Sequence, residues 1–243
     1  MVIASIDERI DWQRFHQIGA RTQMAYQWVS SGPDPHSGLQ ARFLAPSRFR
    51  DRVPLVVFLH GAGQRGDDNI QQLQTLPQQL FLSNKFPCAV LAPQCPLGTS
   101  WGHWPDELEH LIEQTIQKHH IDPARVYLTG LSMGGFGSWE LAAHRPDLFA
   151  AVVPVCGGGN TQWAEELKNL PLWAVHGSDD TAVPPARSRE MIKSIQSLGG
   201  APHYTELPQV GHDSWRHAYD PDSGILTWMF QQQRTLSCSD VDP

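Results

Sequence analysis

From residue 54 onward, continuous apolar runs alternate with stretches whose apolar residues recur every three or four positions. This is the pattern of a mostly parallel sheet covered by helices on both faces. Strands are predicted at Leu55–Leu59, Ala89–Ala92, Val126–Thr129, Ala150–Val155, Leu172–His176 and His203–Leu207. A strand buried on both faces needs apolar side chains at successive positions rather than at alternate ones. Helices are predicted between them at about 105–119, 133–144, 185–198 and 222–233; in the first, Asp106-Glu-Leu-Glu-His-Leu-Ile-Glu-Gln-Thr-Ile carries an apolar stripe at helical spacing. Ahead of this core, Met24 to Val29 and Leu39 to Leu44 flank the turn-rich Ser30-Ser-Gly-Pro-Asp-Pro-His-Ser-Gly38 and predict an antiparallel hairpin. No repeat, low-complexity tract or linker interrupts the pattern. The expectation is therefore one α/β domain over residues 1–243, with its core at about 20–234. Only Cys156 to Pro171 separates two successive strands after the second helix-like stretch, room for a glycine turn and a short helix, so no cap domain is expected.

Composition narrows the class. Hydrophobic residues make up 40% of the 243 and charged residues 18%, as in a soluble globular protein. The formal charge of −7, with no basic patch, argues against nucleic-acid or anionic-membrane partners. The first ten residues mix acidic and basic side chains and lack the apolar centre of a secretory signal, and no run is long enough to span a membrane. Cys88, Cys95, Cys156 and Cys238 show no metal-ligand spacing and are too sparse for a disulfide scaffold. They are read as reduced thiols of a cytoplasmic protein, with a Cys88–Cys95 bridge left open. His119-His120 has no carboxylate or cysteine at ligand spacing, so no metal is expected.

The chemistry begins at Gly130-Leu-Ser132-Met-Gly134, where the strand at Val126 turns into a helix that Pro146 stops. G-x-S-x-G at a strand-to-helix turn holds a serine in a strained conformation above the sheet edge, with the first helical N–H groups beside it. A serine hydroxyl is a weak nucleophile unless a base and an orienting acid reach it. Asp179 and Asp180 follow the strand ending at His176, and His212 follows the strand ending at Leu207. The order Ser, Asp, His is that of one of the three unrelated triad arrangements. The glycine-rich loop His60-Gly-Ala-Gly-Gln-Arg-Gly-Asp-Asp68 follows the most hydrophobic strand and can turn an N–H toward Ser132, completing an oxyanion hole with the N–H of Met133.

Together, His60-Gly-Ala-Gly, Gly130-Leu-Ser-Met-Gly-Gly, His176-Gly-Ser-Asp-Asp-Thr-Ala-Val-Pro and Gly211-His-Asp-Ser-Trp resemble an α/β-hydrolase of the carboxylesterase type. The resemblance lies near the dienelactone-hydrolase, feruloyl-esterase and polyhydroxybutyrate-depolymerase-like esterases and free-standing prolyl-oligopeptidase-type catalytic domains. It implies Asp180 rather than Asp179 as the acid, and Ala62 as the oxyanion donor after His-Gly. It also implies a serine carboxylesterase that forms an acyl-enzyme without cofactor, acting on a small-molecule or polymer-linked ester. The alternatives are a peptidase or thioesterase with the same residues, or a non-catalytic binding module. Trp101, His103 and Trp104 follow the strand at Ala89 and either line the substrate pocket or pack on the next helix. His60 and His176 read as structural, Arg65, Asp67 and Asp68 as a solvated turn, and Trp163, Trp173 and Trp228 as core.

Overall fold

The computed structural model describes residues 26–31, 38–46, 52–77 and 87–236. The N-terminal segment, the hairpin positions 24–25, its turn at 32–37 and Cys238 lie outside these residues. Within them the chain forms β1 (Tyr26–Ser31), β2 (Gln40–Pro46), β3 (Val53–Leu59), β4 (Ala89–Gln94), β5 (Ile121–Leu131), β6 (Ala151–Val155), β7 (Trp173–Gly177) and β8 (His203–Leu207). The helices are α1 (Pro105–Lys118), α2 (Met133–His144), α3 (Ala164–Leu167), α4 (Ala186–Ser197), α5 (Trp215–Ala218) and α6 (Ile225–Gln231). Among the described residues the strands form one eight-stranded sheet in the order β1-β2-β4-β3-β5-β6-β7-β8. The expected hairpin is present: β1 pairs antiparallel with β2, and β2 antiparallel with β4. All pairs from β4 to β8 are parallel.

Period-two alternation along each strand splits its side chains between two apolar layers. Leu55, Val57 and Leu59 of β3 join one layer, while Val56 and Phe58 join the other. The first layer is closed by Leu108 and Ile112 of α1, Trp139 of α2 and Met191 of α4; Ile225 and Met229 of α6 close the second. Each fully buried side chain of this size stabilises by roughly 1.5–3 kcal/mol. Helix α1 starts with Pro105 at its first position, carries Asp106 and Glu107 in its first turn and ends with Lys118, all matched to the helix dipole. Beyond its end the His119 ring stacks on Phe43 at 4.2 Å, so one member of the histidine pair packs while His120 is exposed.

Two features of the sheet position the site. After β3 the chain moves to β4 on one side, then crosses back to β5 on the other, and a crevice opens where the strand order reverses. The loop after β3 and the elbow after β5 meet there. The second feature is a thin seam between β6 and β7. Val152 N–H donates to Pro171 O (3.0 Å) and Cys156 N–H to Val175 O (2.8 Å). Midway between these two donors stands Pro154, which has no N–H to give. Register pairing along this seam is accordingly limited to Val155 with Val175 and a bridge of Val152 with Leu172.

Candidate active site

Ser132 lies between β5 and α2 with φ 55° and ψ −118°, a left-handed conformation that a non-glycine residue adopts only under constraint. The constraint is steric. A Cβ on Gly130 would stand 2.5 Å from Gly134 O, and one on Gly134 would collide with Leu59 O, so the elbow closes only because both positions are glycine. Ser132 N–H donates to Val155 O (3.0 Å), which ties the turn to β6.

Loops from the next two parallel strands bring the partners. His212 Nε2 lies 2.9 Å from Ser132 Oγ, and His212 Nδ1 lies 2.7 Å from Asp180 Oδ2. A carboxylate only accepts, so the imidazole proton sits on Nδ1 and Nε2 is left to accept the serine proton. Asp180 is buried, and its Oδ1 accepts the N–H groups of Ala182 and Val183, each at 2.9 Å. Burial alone would raise its pKa, but the hydrogen bonds from His212, Val183 and Ala182 outweigh burial and hold the carboxyl below its ordinary range. Asp179 is exposed and accepts only the Ser178 hydroxyl (2.6 Å) among the described residues. The Trp215 indole meets the His212 ring edge-to-face at 5.5 Å and walls one side of the imidazole.

Ala62 and Met133 are each the first residue of a helical turn, the 3₁₀ turn Ala62–Gln64 and α2. Neither N–H therefore has an acceptor within its own helix. The loop bearing Ala62 is fastened to the end of β4 by buried polar side chains. His60 Nε2 accepts Cys95 N–H (2.9 Å) while His60 Nδ1–H donates to Gly61 O (2.6 Å). Gln94 Oε1 accepts Asn69 N–H (2.6 Å), and Gln94 Nε2 donates to Asp68 (2.8 Å). Asp68 thus shapes the loop, which the solvated-turn reading had not included.

Burial moves His60 from an ordinary pKa of 6.5 to about 4, in keeping with a ring nitrogen that must stay unprotonated to accept. The unfolded chain takes up a proton that folded His60 refuses, so stability is complete above pH 6.5 and declines as pH falls toward 4. The full loss is on the order of 3 kcal/mol. Thermal melts of the wild type should show this decline, and His60→Asn should lack it; identical pH slopes for the two proteins would exclude His60 as its source.

His176 is also buried, with Nδ1 2.8 Å from Ser188 Oγ and Nε2 facing Val183 O (2.9 Å) and Asp180 Oδ2 (3.2 Å). It braces the acid loop. Trp101 is buried and donates from Nε1 to His60 O (3.0 Å), and one face of it borders a cavity of about 410 Å³ beside Met133. Trp104 donates to Thr99 Oγ1 (3.0 Å) and packs on the core, and it is not among the residues lining that cavity. His103 is exposed and hydrogen-bonds Ser100 (3.0 Å). Of this trio, packing accounts for Trp104 and a local bond to Ser100 for exposed His103, while Trp101 both packs and lines. Phe136 and Glu140, which sequence reasoning did not single out, also line the cavity. They are half-buried on α2, where a helical pattern gives no sign of a neighbouring hollow.

Cys88, Cys95 and Cys156 are buried, and Cys95 carries a free thiol, so the Cys88–Cys95 bridge does not form. Burial pushes the Cys156 thiol, next to the elbow, up to about 12, which keeps it protonated and unreactive. Among the described residues, the group that could gather around a cation is Asp106, Glu109 and His144, and Glu109 there is already paired with Arg145. No described helix is long and apolar enough to cross a membrane.

Residues 56–235 match the model of the alpha/beta hydrolase family. The chain belongs to that family. Among relatives of this alpha/beta hydrolase is a bifunctional acetylxylan esterase/xylanase of Neocallimastix patriciarum, 26% identical over 200 residues, which cover 79% of this chain and 28% of that protein. Feruloyl esterase B of Thermothelomyces thermophilus is 23% identical over 261 residues, covering 85% of this chain and 86% of the relative. The solved structure of a thermostable esterase superposes with a TM-score of 0.75 at 33% identity, covering 86% of this chain and 63% of that one. The alpha/beta hydrolase chain thus spans only part of some relatives, 28% of the first.

Proposed function

We propose that this protein is a carboxylic ester hydrolase that works through an acyl-enzyme on Ser132. The observation that carries the reading is the unbroken hydrogen-bonded path from Ser132 Oγ through His212 to buried Asp180. Ser132 attacks the ester carbonyl as His212 Nε2 takes its proton. The imidazolium so formed is stabilised by Asp180, and the N–H groups of Ala62 and Met133 receive the charge on the carbonyl oxygen. His212 then returns its proton to the leaving alkoxide, and water repeats the sequence to release the acid. The esterase activities named for the relatives support an oxygen ester as substrate, small or polymer-linked. The test is stoichiometric labelling of Ser132 by a serine-directed phosphonate together with hydrolysis of p-nitrophenyl acetate. A folded protein that does neither is not this enzyme.

Chain-length preference follows from the open site. Between β6 and β7 lie only a glycine turn, a 3₁₀ turn at Thr161–Trp163 and the four-residue α3. These form no roof. Each methylene buried in a long acyl tunnel would contribute about 0.8 kcal/mol, and the elements between β6 and β7 build no such tunnel. kcat/KM on p-nitrophenyl esters should peak at about C2–C6 and show no jump at the micellar transition. A rise continuing to about C12 would contradict an uncovered site.

A further inference from the structure

Two hollows flank the half-buried ridge of α2 that carries Phe136 and Glu140. One, about 410 Å³, borders Met133 and has Trp101 and Phe136 as walls. The other, about 420 Å³, is lined by Asn160, Trp163, Arg187 and Glu190. Phe136 and Glu140 belong to both, so the two hollows adjoin across that ridge and lead from Met133, the residue after the reacting serine, to a polar far end. Glu140 is eight residues beyond Ser132, about 12 Å along the helix axis. What touches it is therefore a remote part of the substrate and not the scissile carbonyl.

The Glu140 carboxylate is set into this ridge. It occupies the space that a side chain at Gly102 would fill, and Trp101 lies against α2 at Gly137. Among the described residues it has no hydrogen-bond or ion-pair partner, although it is half-buried and burial pushes its pKa up. A carboxylate so placed gains a charge-assisted hydrogen bond by accepting from a donor that enters the hollow. The neighbouring groups indicate what that is. Arg187 brings a guanidinium into the same hollow and offsets part of the negative charge of Glu140 and Glu190. Asn160 donates and accepts, Arg187 donates, Glu190 accepts, and the Trp163 and Phe136 rings offer flat apolar faces. Hydroxyl groups, which donate and accept at once, suit this mixture.

Resting on the ester-hydrolase reading above, we propose that Glu140 is a specificity-determining residue that selects esters of polyhydroxylated alcohols. Its carboxylate accepts from a hydroxyl of the alcohol portion while Asn160 and Arg187 hold adjacent ones.

The test compares two acetates of similar size, methyl glucoside 6-acetate and cyclohexylmethyl acetate, which lacks the hydroxyls. Wild-type protein should favour the first in kcat/KM by about 10-fold or more, the discrimination expected of a hydrogen bond to a charged group. Glu140→Leu removes the acceptor. Gly102→Ala leaves Glu140 in place but puts a methyl where its carboxylate lies, a change that a flexible side chain accommodates without unfolding. Both variants should lower the ratio of the two kcat/KM values by about 10- to 100-fold. An unchanged ratio in Glu140→Leu, no wild-type preference for the glucoside, or a preference for acetylcholine over both would overturn the proposal. Wild-type protein that hydrolyses p-nitrophenyl acetate but shows no such preference loses only this proposal. Protein inert to p-nitrophenyl acetate loses the ester-hydrolase reading and this one together.

Discussion

Ser132→Ala is expected to lower kcat about 10⁶-fold, because removing the nucleophile of a triad costs about as much as removing all three members. The residual rate comes from the oxyanion donors and substrate binding, which the variant keeps. Its fold should persist, since the elbow is enforced by Gly130, Gly134 and the N–H bond to Val155 O and not by the hydroxyl. Alanine at φ 55° bears the same backbone strain as serine, whereas Ser132→Gly relieves it and should raise stability by about 1–3 kcal/mol while being equally inactive. Chemical denaturation and single-turnover rates on the three proteins check both halves. An alanine variant that retains turnover would remove the acyl-enzyme mechanism, and a glycine variant no more stable than serine would show that the elbow stores no strain.

Asp180→Asn is expected to cost about 10⁴-fold in kcat, while Asp179→Asn changes it by less than about threefold. The carboxamide can present its NH₂ to His212 Nδ1, which forces the ring proton onto Nε2 and leaves no lone pair for the serine proton. The loop would hold its shape, because the N–H groups of Ala182 and Val183 can still find the amide oxygen. Asp179 is exposed, and among the described residues its carboxylate accepts only from Ser178. Steady-state kinetics of the two variants decide the matter, and a larger loss at Asp179 would reverse the roles of the two carboxylates.

Much of this arrangement was legible because each part has a local cause. The six apolar runs became parallel strands within one to three residues at most ends, and the helix predicted at 133–144 has those bounds. The exception is β5, which begins at Ile121, five residues before the predicted strand, because Asp122, Pro123 and Arg125 do not read as strand. The four-residue α5 was missed: Trp215-Arg-His-Ala is too short to show a helical period. Choosing between Asp179 and Asp180 needed the family resemblance, since both follow the same strand and only geometry tells which one turns inward. The cleft was beyond reach. Glu140 and Arg187 are more than forty residues apart on two separate helices, and each alone looks like an ordinary solvated charge.

The proline in β6 has a consequence for how this molecule comes apart. Ser132 is carried on the block β3–β5–β6, while Asp180 and His212 ride on β7 and β8, across the rung that Pro154 leaves out. Global unfolding must break the whole sheet, but parting the two blocks by an ångström or two along that seam already separates His212 from Ser132. Local opening draws on the weakest cooperative unit. Turnover should therefore fade at lower denaturant than the circular dichroism of the sheet, and amides of β7 and β8 should exchange with solvent ahead of those in β3 and β5. Catalytic competence and foldedness would then be two separate transitions in one small protein.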